Sequence, residues 1–273
     1  MERREYPYLA VLGLPVLVVF TAFFLLPMAR LVLVAGTGPK GVSAYLAILT
    51  TPRYFESLVA TIVLSTLVTL ATLSISTVAG LFLERNRFAG RGVLVSMLTF
   101  PLAFPGVVVG FMVIMLAGRQ GLIGEISKFL TGGKLVFAYS MAGLFMGYVY
   151  FSIPRVILTV MAAAEKLDPA LEEAARSLGA SQWRVVCDVI LPGLNPALIA
   201  SGAICFATAM GAFGTAFTLA TNIDVLPMTI YTEFTLRANI AMASALSIIL
   251  GLITWVALNA ARSFAGSSVA AAG

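Results

Sequence analysis

Long apolar runs alternate with short charged segments along this chain, and the runs are too long for helices bathed in water. Six stretches of 20 residues or more contain no Asp, Glu, Lys or Arg: 6–29, 57–83, 92–118, 135–154, 189–223 and 238–261. Together they hold 157 of the 273 residues. A helix of about 20 apolar residues crosses a hydrocarbon core of about 30 Å, whereas a surface helix of a soluble domain needs a polar face along its whole length. Strands of a membrane β-barrel alternate apolar and polar positions over only about ten residues, which is not the pattern here. The chain is therefore predicted to be an all-α membrane protein with six transmembrane helices, and neither a soluble enzyme nor a disordered chain.

The spans are expected at about 8–29, 58–83, 93–116, 136–161, 196–219 and 240–261. Arg3 and Arg4 precede the first. It exceeds a cleaved signal core and lacks a small-x-small site, so it is expected to be retained. Serine and threonine are frequent in the second, where hydroxyls can bond back to helix carbonyls without lining a polar path. The third carries Pro101, Pro105, Gly106 and Gly110, and the fourth has Pro154 and Arg155 towards its end. Six spans place both termini on one side. With the N-terminus inside, ten basic residues fall on the inner side and seven on the outer, a lean towards cytoplasmic termini. In the short segment 122–130, Leu122, Ile126, Phe129 and Leu130 share one helical face and are expected at the membrane interface. The expected organisation is 1–56 (stub, first span and outer loop), 57–262 (a core of five spans) and 263–273 (a flexible tail).

Composition removes chemistry. There is no histidine, so the usual base of a Ser-His-Asp site and the usual ligand of zinc or haem are missing. Cys187 and Cys205 are not in CxxC spacing and read as small hydrophobes. No catalytic residue and no metal site is expected. The net charge of +5 reflects membrane topology rather than nucleic-acid binding, because no basic run of five or more exists.

One segment departs from the pattern. Residues 165–188 hold eight of the 29 charges, in the longest polar stretch. Asp168 before Pro169 is an N-cap and first-turn signal, and Glu172 and Glu173 follow near the positive end of the helix dipole. Ala170, Leu171, Ala174, Ala175 and Leu178 give a small, flat apolar face. Gly179 supplies a left-handed stop. Ser181 then caps a second helix from Gln182 to Leu191, ended by Pro192. A rigid corner between two anchored helices would serve as a lever, and exposed alanines let another protein's backbone approach closely.

At these residues the chain resembles the permease subunits of binding-protein-dependent ABC importers. Their loop motif is Glu-Ala-Ala, three residues, Gly, nine residues, then Ile-x-Leu-Pro. Here it reads Glu173-Ala174-Ala175, Gly179 and Val189-Ile190-Leu191-Pro192, with valine for isoleucine as the one departure. The likeness extends loosely over residues 55–257. It implies a type I importer permease (MetI-like) fold in the bacterial inner membrane, with the loop as a coupling helix. That helix would dock on one of two cytoplasmic ATPase subunits, which carry the ATP and Mg. By residue match Asp168, Glu172, Glu173, Ala174, Ala175, Arg176, Gly179 and Ala180 form the ATPase contact and its corner, and Leu191 and Pro192 join it to span five. A second permease subunit, homologous or identical, and a periplasmic or extracellular substrate-binding protein are implied partners. No GxxxxGK[ST] phosphate loop is present, so no cofactor is expected on the chain itself.

Pathway candidates gather in spans three and five. Ala203, Ala207, Gly211 and Thr215 recur every four residues, a small-residue face that serves either pore lining or close packing within the subunit. Met210, Gly211, Ala212, Phe213 and Gly214 should loosen span five, as Pro101, Pro105 and Gly106 should loosen span three. The flavour of the resemblance is closest to spermidine/putrescine permeases, with relatives for aminoethylphosphonate, iron or oxyanions. Many relatives carry an acidic residue at the position that reads Ala212 here. The central spans hold no carboxylate, and Asp224 and Glu233, near the outer mouth, are expected to face solvent. A self-contained ion-coupled secondary transporter is the alternative; it would show buried ionisable residues and an internal repeat.

Overall fold

The structure is a computed structural model that describes residues 6–38, 41–219 and 223–265. Arg3, Arg4, Lys40 and the tail 266–273 lie outside the described residues. Every regular element described is helical, and six helices are long and apolar enough to cross a membrane. The first span is α1 (Tyr6–Phe20) and α2 (Leu26–Ala35), joined by a π-helical turn at Thr21–Leu25. A short α3 (Ala47–Thr50) leads to α4 (Pro52–Arg85), the second span. Then come α5 (Arg91–Thr99), α6 (Gly106–Ala117), α7 (Leu122–Thr131) and α8 (Met141–Glu165). The connecting segment holds α9 (Pro169–Ser177) and α10 (Gln182–Val185). The chain ends with α11 (Leu191–Met210), α12 (Gly214–Leu219), α13 (Leu226–Tyr231) and α14 (Ile240–Ala265).

Three spans differ from expectation for identifiable reasons. The third is not one helix over 93–116. A 3-10 turn at Phe100–Ala103 follows α5, and the backbone is extended at Phe104 and Pro105 before α6 restarts at Gly106. Pro105 lacks an N–H and drives the preceding residue out of the helical region. The crossing segment is Gly106–Thr131, and Leu122, Ile126, Phe129 and Leu130 of α7 are all exposed. The fourth span runs Met141–Glu165, which moves Arg155 from its end into its interior. In the fifth, α11 stops at Met210 and α12 resumes at Gly214. The four-residue stripe of Ala203, Ala207, Gly211 and Thr215 therefore does not run along one continuous helix.

The chain divides into two compact units, Met1–Glu56 with Thr229–Gly251, and Ser57–Met228 with Leu252–Gly273. In the larger unit the core gathers Leu64 and Val68 of α4, Val113 of α6, Leu144, Val156 and Val160 of α8, and Leu194 of α11. The hydroxyls of α4 follow the expectation in part: Ser65 and Thr72 are buried without a hydrogen-bond partner among the described residues. Thr61, Thr66, Thr69 and Ser74 donate to carbonyls four residues back, and Ser76 donates to the Ile153 carbonyl of α8. In the smaller unit, Glu233 is 1 % exposed, against the expectation that it faces solvent. It accepts hydrogen bonds from Arg237 Nη1 (2.9 Å), from Asn239 Nδ2 (3.4 Å) and from Tyr54. A buried carboxylate is tolerated when cationic and hydrogen-bonding partners surround it. Asp224 is exposed, as expected.

Candidate functional site

Between α8 and α11 the polar segment folds into a tight corner held by its own caps. Asp168 Oδ1 accepts from the Ala170 N–H (2.9 Å) and Pro169 opens α9. At the other end Gly179 has φ +85°. Its N–H donates to the Arg176 carbonyl (2.9 Å), and the Ala180 N–H donates to the Ala175 carbonyl (3.0 Å). This pair of bonds is the Schellman closure of a helix C-terminus. Ala175 and Ala180 pack inward against the core, while Ser181 Oγ caps α10 through the Arg184 N–H (3.4 Å).

Two further contacts tie the corner to the membrane helices. Glu172 forms an ion pair with Arg85 at the end of α4, and Arg176 lies 3.6 Å from its other oxygen. In the turn before α9, Leu167 sits against Gly193 so closely that a Cβ there would lie 2.5 Å from Leu167 Cδ2. Pro192 does not end the second helix, as the sequence suggested. The chain stays helical over Gln182–Met210, passing through a π turn at Val186–Ile190 with Pro192 in the first turn of α11. The residue four before Pro192 is Asp188, inside that wide turn, where the bond proline cannot make is relieved. Outward, the corner shows Leu171, Leu178 and Trp183, with Leu178 89 % exposed. Such an apolar group on a charged segment is a surface fit for a protein partner.

The break in the fifth span forms a second feature. Tyr148 of α8 donates its hydroxyl to the Ala212 carbonyl (2.5 Å). Thr215 Oγ1 donates to the Gly106 carbonyl (2.9 Å) and Thr218 Oγ1 to the Val107 carbonyl (3.3 Å). The last two bonds join α12 to α6. These helices touch through small residues: a Cβ on Gly110 would lie 2.6 Å from Thr218 Cβ, and one on Gly214 3.0 Å from the Val107 nitrogen. Beside the break is a cavity of about 240 Å³ lined by Gly106, Tyr148, Ser152, Thr208, Ala212 and Thr215 among others. Arg155 Nη1 donates to Thr208 Oγ1 (3.2 Å) at its edge. A larger groove of about 640 Å³, between α4 and α8, is lined by apolar side chains apart from Ser74.

Residues 76–266 match the family described as "Binding-protein-dependent transport system inner membrane component". The chain belongs to this family. The permease is 33% identical over 189 residues to the molybdenum transport system permease protein ModB of Escherichia coli K12, a match covering 68% of this chain and 81% of that protein. It is 36% identical over 170 residues to the sulfate transport system permease protein CysT of the same strain, over 59% of this chain and 60% of CysT. To the chloroplastic sulfate permease 2 of Chlamydomonas reinhardtii it is 31% identical over 254 residues, or 90% of this chain and 65% of that protein. Among solved structures, a chain of a bacterial alginate ABC transporter, in complex with an alginate pentasaccharide-bound periplasmic protein, superposes with a TM-score of 0.83. That match has 19% identity and covers 97% of this chain and 95% of that one, which establishes the MetI-like ABC permease fold. The permease is thus a multi-pass inner-membrane transport component.

The candidate residues sort by position. In the permease corner, Asp168, Glu173, Ala174, Arg176 and Gly179 are exposed, whereas Glu172, Ala175 and Ala180 face inward. Leu191 and Pro192 belong to the first turn of α11. Around the break the structure brings together Gly106, Gly211, Gly214 and Thr215. Met210 is fully buried next to them, and the rings of Phe213 and Phe217 lie 5.3 Å apart, tilted by 30°. Ala207 lies one turn before Gly211, and its carbonyl accepts the Gly211 N–H. Pro101 is buried and Pro105 exposed, both upstream of α6. Sequence reasoning missed Arg85, Tyr148, Thr208 and Trp183. A tryptophan in a polar loop was the one visible signal among them.

Proposed function

We propose that the permease forms half of the membrane pathway of an ATP-driven importer for a small oxyanion, with both termini in the cytoplasm. The observation that carries this reading is the capped corner. It presents Leu171, Leu178 and Trp183 outward and is packed through Leu167 and Gly193 onto α11, so a partner that moves α9 also moves a membrane helix. The partners are two cytoplasmic ATPase subunits that hold ATP and Mg, a second permease subunit, and an external substrate-binding protein. Relatives named for molybdenum and sulfate transport support the oxyanion class. Polyamines, the first expectation, have no support there, and the larger unit's cavity carries no carboxylate that would bind a polyamine.

The test is uptake in cells lacking this gene and in cells carrying it again. Labelled molybdate, sulfate and spermidine are supplied with and without collapse of the proton gradient. Oxyanion uptake that returns with the gene, survives an uncoupler and stops on ATP depletion is the expected result. Uptake that follows the ion gradient instead would mark a secondary transporter and end this reading.

A further inference from the structure

Arg155 stands out as a cation where the membrane should exclude one. It lies ten residues from Glu165 and fourteen from Met141 in α8, which at 1.5 Å per residue is about 15 Å and about 21 Å from the two ends. A charge at that depth is costly and is kept where it faces water, a partner or a ligand. Among the described residues no carboxylate pairs with it; the ion pairs there involve Arg85, Arg91, Lys134, Arg176 and Arg237. Its one described bond is to Thr208 Oγ1. Thr208 donates its own proton to the Ile204 carbonyl (2.7 Å), so its oxygen is oriented to receive the guanidinium. Four of the five guanidinium N–H donors have no described partner.

Through Thr208, Arg155 reaches the edge of the cavity at the break in the fifth span. Thr208 lines that cavity, and so does Ser152, one turn before Arg155 on the same face of α8. None of its lining residues is charged, so Arg155 brings a positive charge to an otherwise neutral edge. A volume of about 240 Å³ is roughly eight times the share of one water in the liquid, enough for a tetrahedral oxyanion with part of its hydration. The Ala212 carbonyl, which would repel an anion, already accepts the Tyr148 hydroxyl. The Gly106 carbonyl is likewise engaged by Thr215.

We propose that Arg155, positioned by Thr208, is a specificity-determining residue of the membrane pathway that takes a small tetrahedral oxyanion at the helix break. This rests on the oxyanion reading given above. The guanidinium offers a planar fork of donors to two oxygens of the anion, while its partly solvated position keeps binding weak enough for release.

The complete transporter, in vesicles, carries the test. Sulfate and molybdate uptake is measured for wild type, Arg155→Gln and Arg155→Lys, with assembly checked by size-exclusion chromatography. Loss of charge-assisted bonds predicts a fall of about tenfold or more for Arg155→Gln and partial recovery for Arg155→Lys. In a second arm, Ser152→Cys is introduced into a Cys187→Ala/Cys205→Ala background and treated with anionic and cationic thiosulfonates of equal size. With Arg155 in place the anionic reagent reacts faster, free sulfate slows it, and Arg155→Gln abolishes the preference. Normal uptake by Arg155→Gln in a wild type that moves oxyanions overturns the site alone. So does a modification rate indifferent to sulfate, which would mark a lipid headgroup or a purely structural arginine. A wild type that moves neither oxyanion overturns the site together with the reading beneath it.

Discussion

Replacing Gly179 isolates the corner's conformation from its contacts. The residue sits at φ +85°, and a Cβ built there meets nothing within 4 Å. Any penalty therefore comes from the backbone and not from collision. Holding an L-residue in the left-handed region costs roughly 1–2 kcal/mol, least for asparagine. The order of damage should be Asn, then Ala, then Val, since a branched Cβ is the most restricted. One to two kcal/mol corresponds to an increase of about 5–30-fold in opening of the corner. Amide hydrogen exchange reads this directly, because the Ala180 N–H is fixed to the Ala175 carbonyl and should exchange faster by that factor in Gly179→Ala. In the assembled transporter the same series should lower the substrate moved per ATP hydrolysed, in the same order. Wild-type exchange and coupling in Gly179→Val would refute the reasoning. An asparagine variant worse than valine would show that a contact, and not φ, governs the position.

Three other sites give independent checks. Gly110→Val places a side chain where a Cβ already lies 2.6 Å from Thr218 Cβ; overpacking of about 1–3 kcal/mol should lower the melting temperature of the detergent-solubilised protein, whereas Gly251→Val, with open space around it, should escape that packing penalty. A double-mutant cycle on Arg85→Ala and Glu172→Gln should give a coupling of about 0.5–1 kcal/mol for this partly buried pair, and a coupling of zero in denaturant melts would remove the tie between α4 and α9. Arg237→Ala should destabilise more than Arg237→Ala combined with Glu233→Gln, because the single change leaves a buried carboxylate without its cation; equal melting temperatures for the two would contradict that account.

The corner was legible in the sequence because its determinants are local. Asp168-Pro169, Gly179 and Ser181 each act within a few residues, and the bonds they predict are present. The helix break at Gly211–Phe213 was legible for the same reason. Its setting was not, since Thr215 meets Gly106 across 109 positions and Tyr148 meets Ala212 across 64, and no periodicity encodes such pairings. Arg155 was misread by a boundary error. Hydropathy placed the end of the fourth span at 161, six residues past the arginine, but the helix continues to Glu165, ten residues past it. Glu233 was misread because carboxylates are exposed on average. Its burial depends on Arg237 and Asn239 coming round the π turn and on Tyr54 from a distant segment.

The bonding around Gly211–Phe213 gives the two halves of the fifth span different attachments within the larger unit. α12 is bolted to α6 by two hydroxyl–carbonyl bonds and by contacts too tight for a Cβ. α11 instead starts at the corner, under Leu167. A displacement entering through α9 can thus travel the length of α11, but it reaches a bearing at the break where the downstream half is held by α6. The one hydrogen bond described at the Ala212 carbonyl comes from the Tyr148 hydroxyl. Motion that α6 resists would be taken up in the three residues between the halves, of which Gly211 and Ala212 line the cavity. On the coupling role proposed for the corner, the cavity is where its movement would become a change of shape.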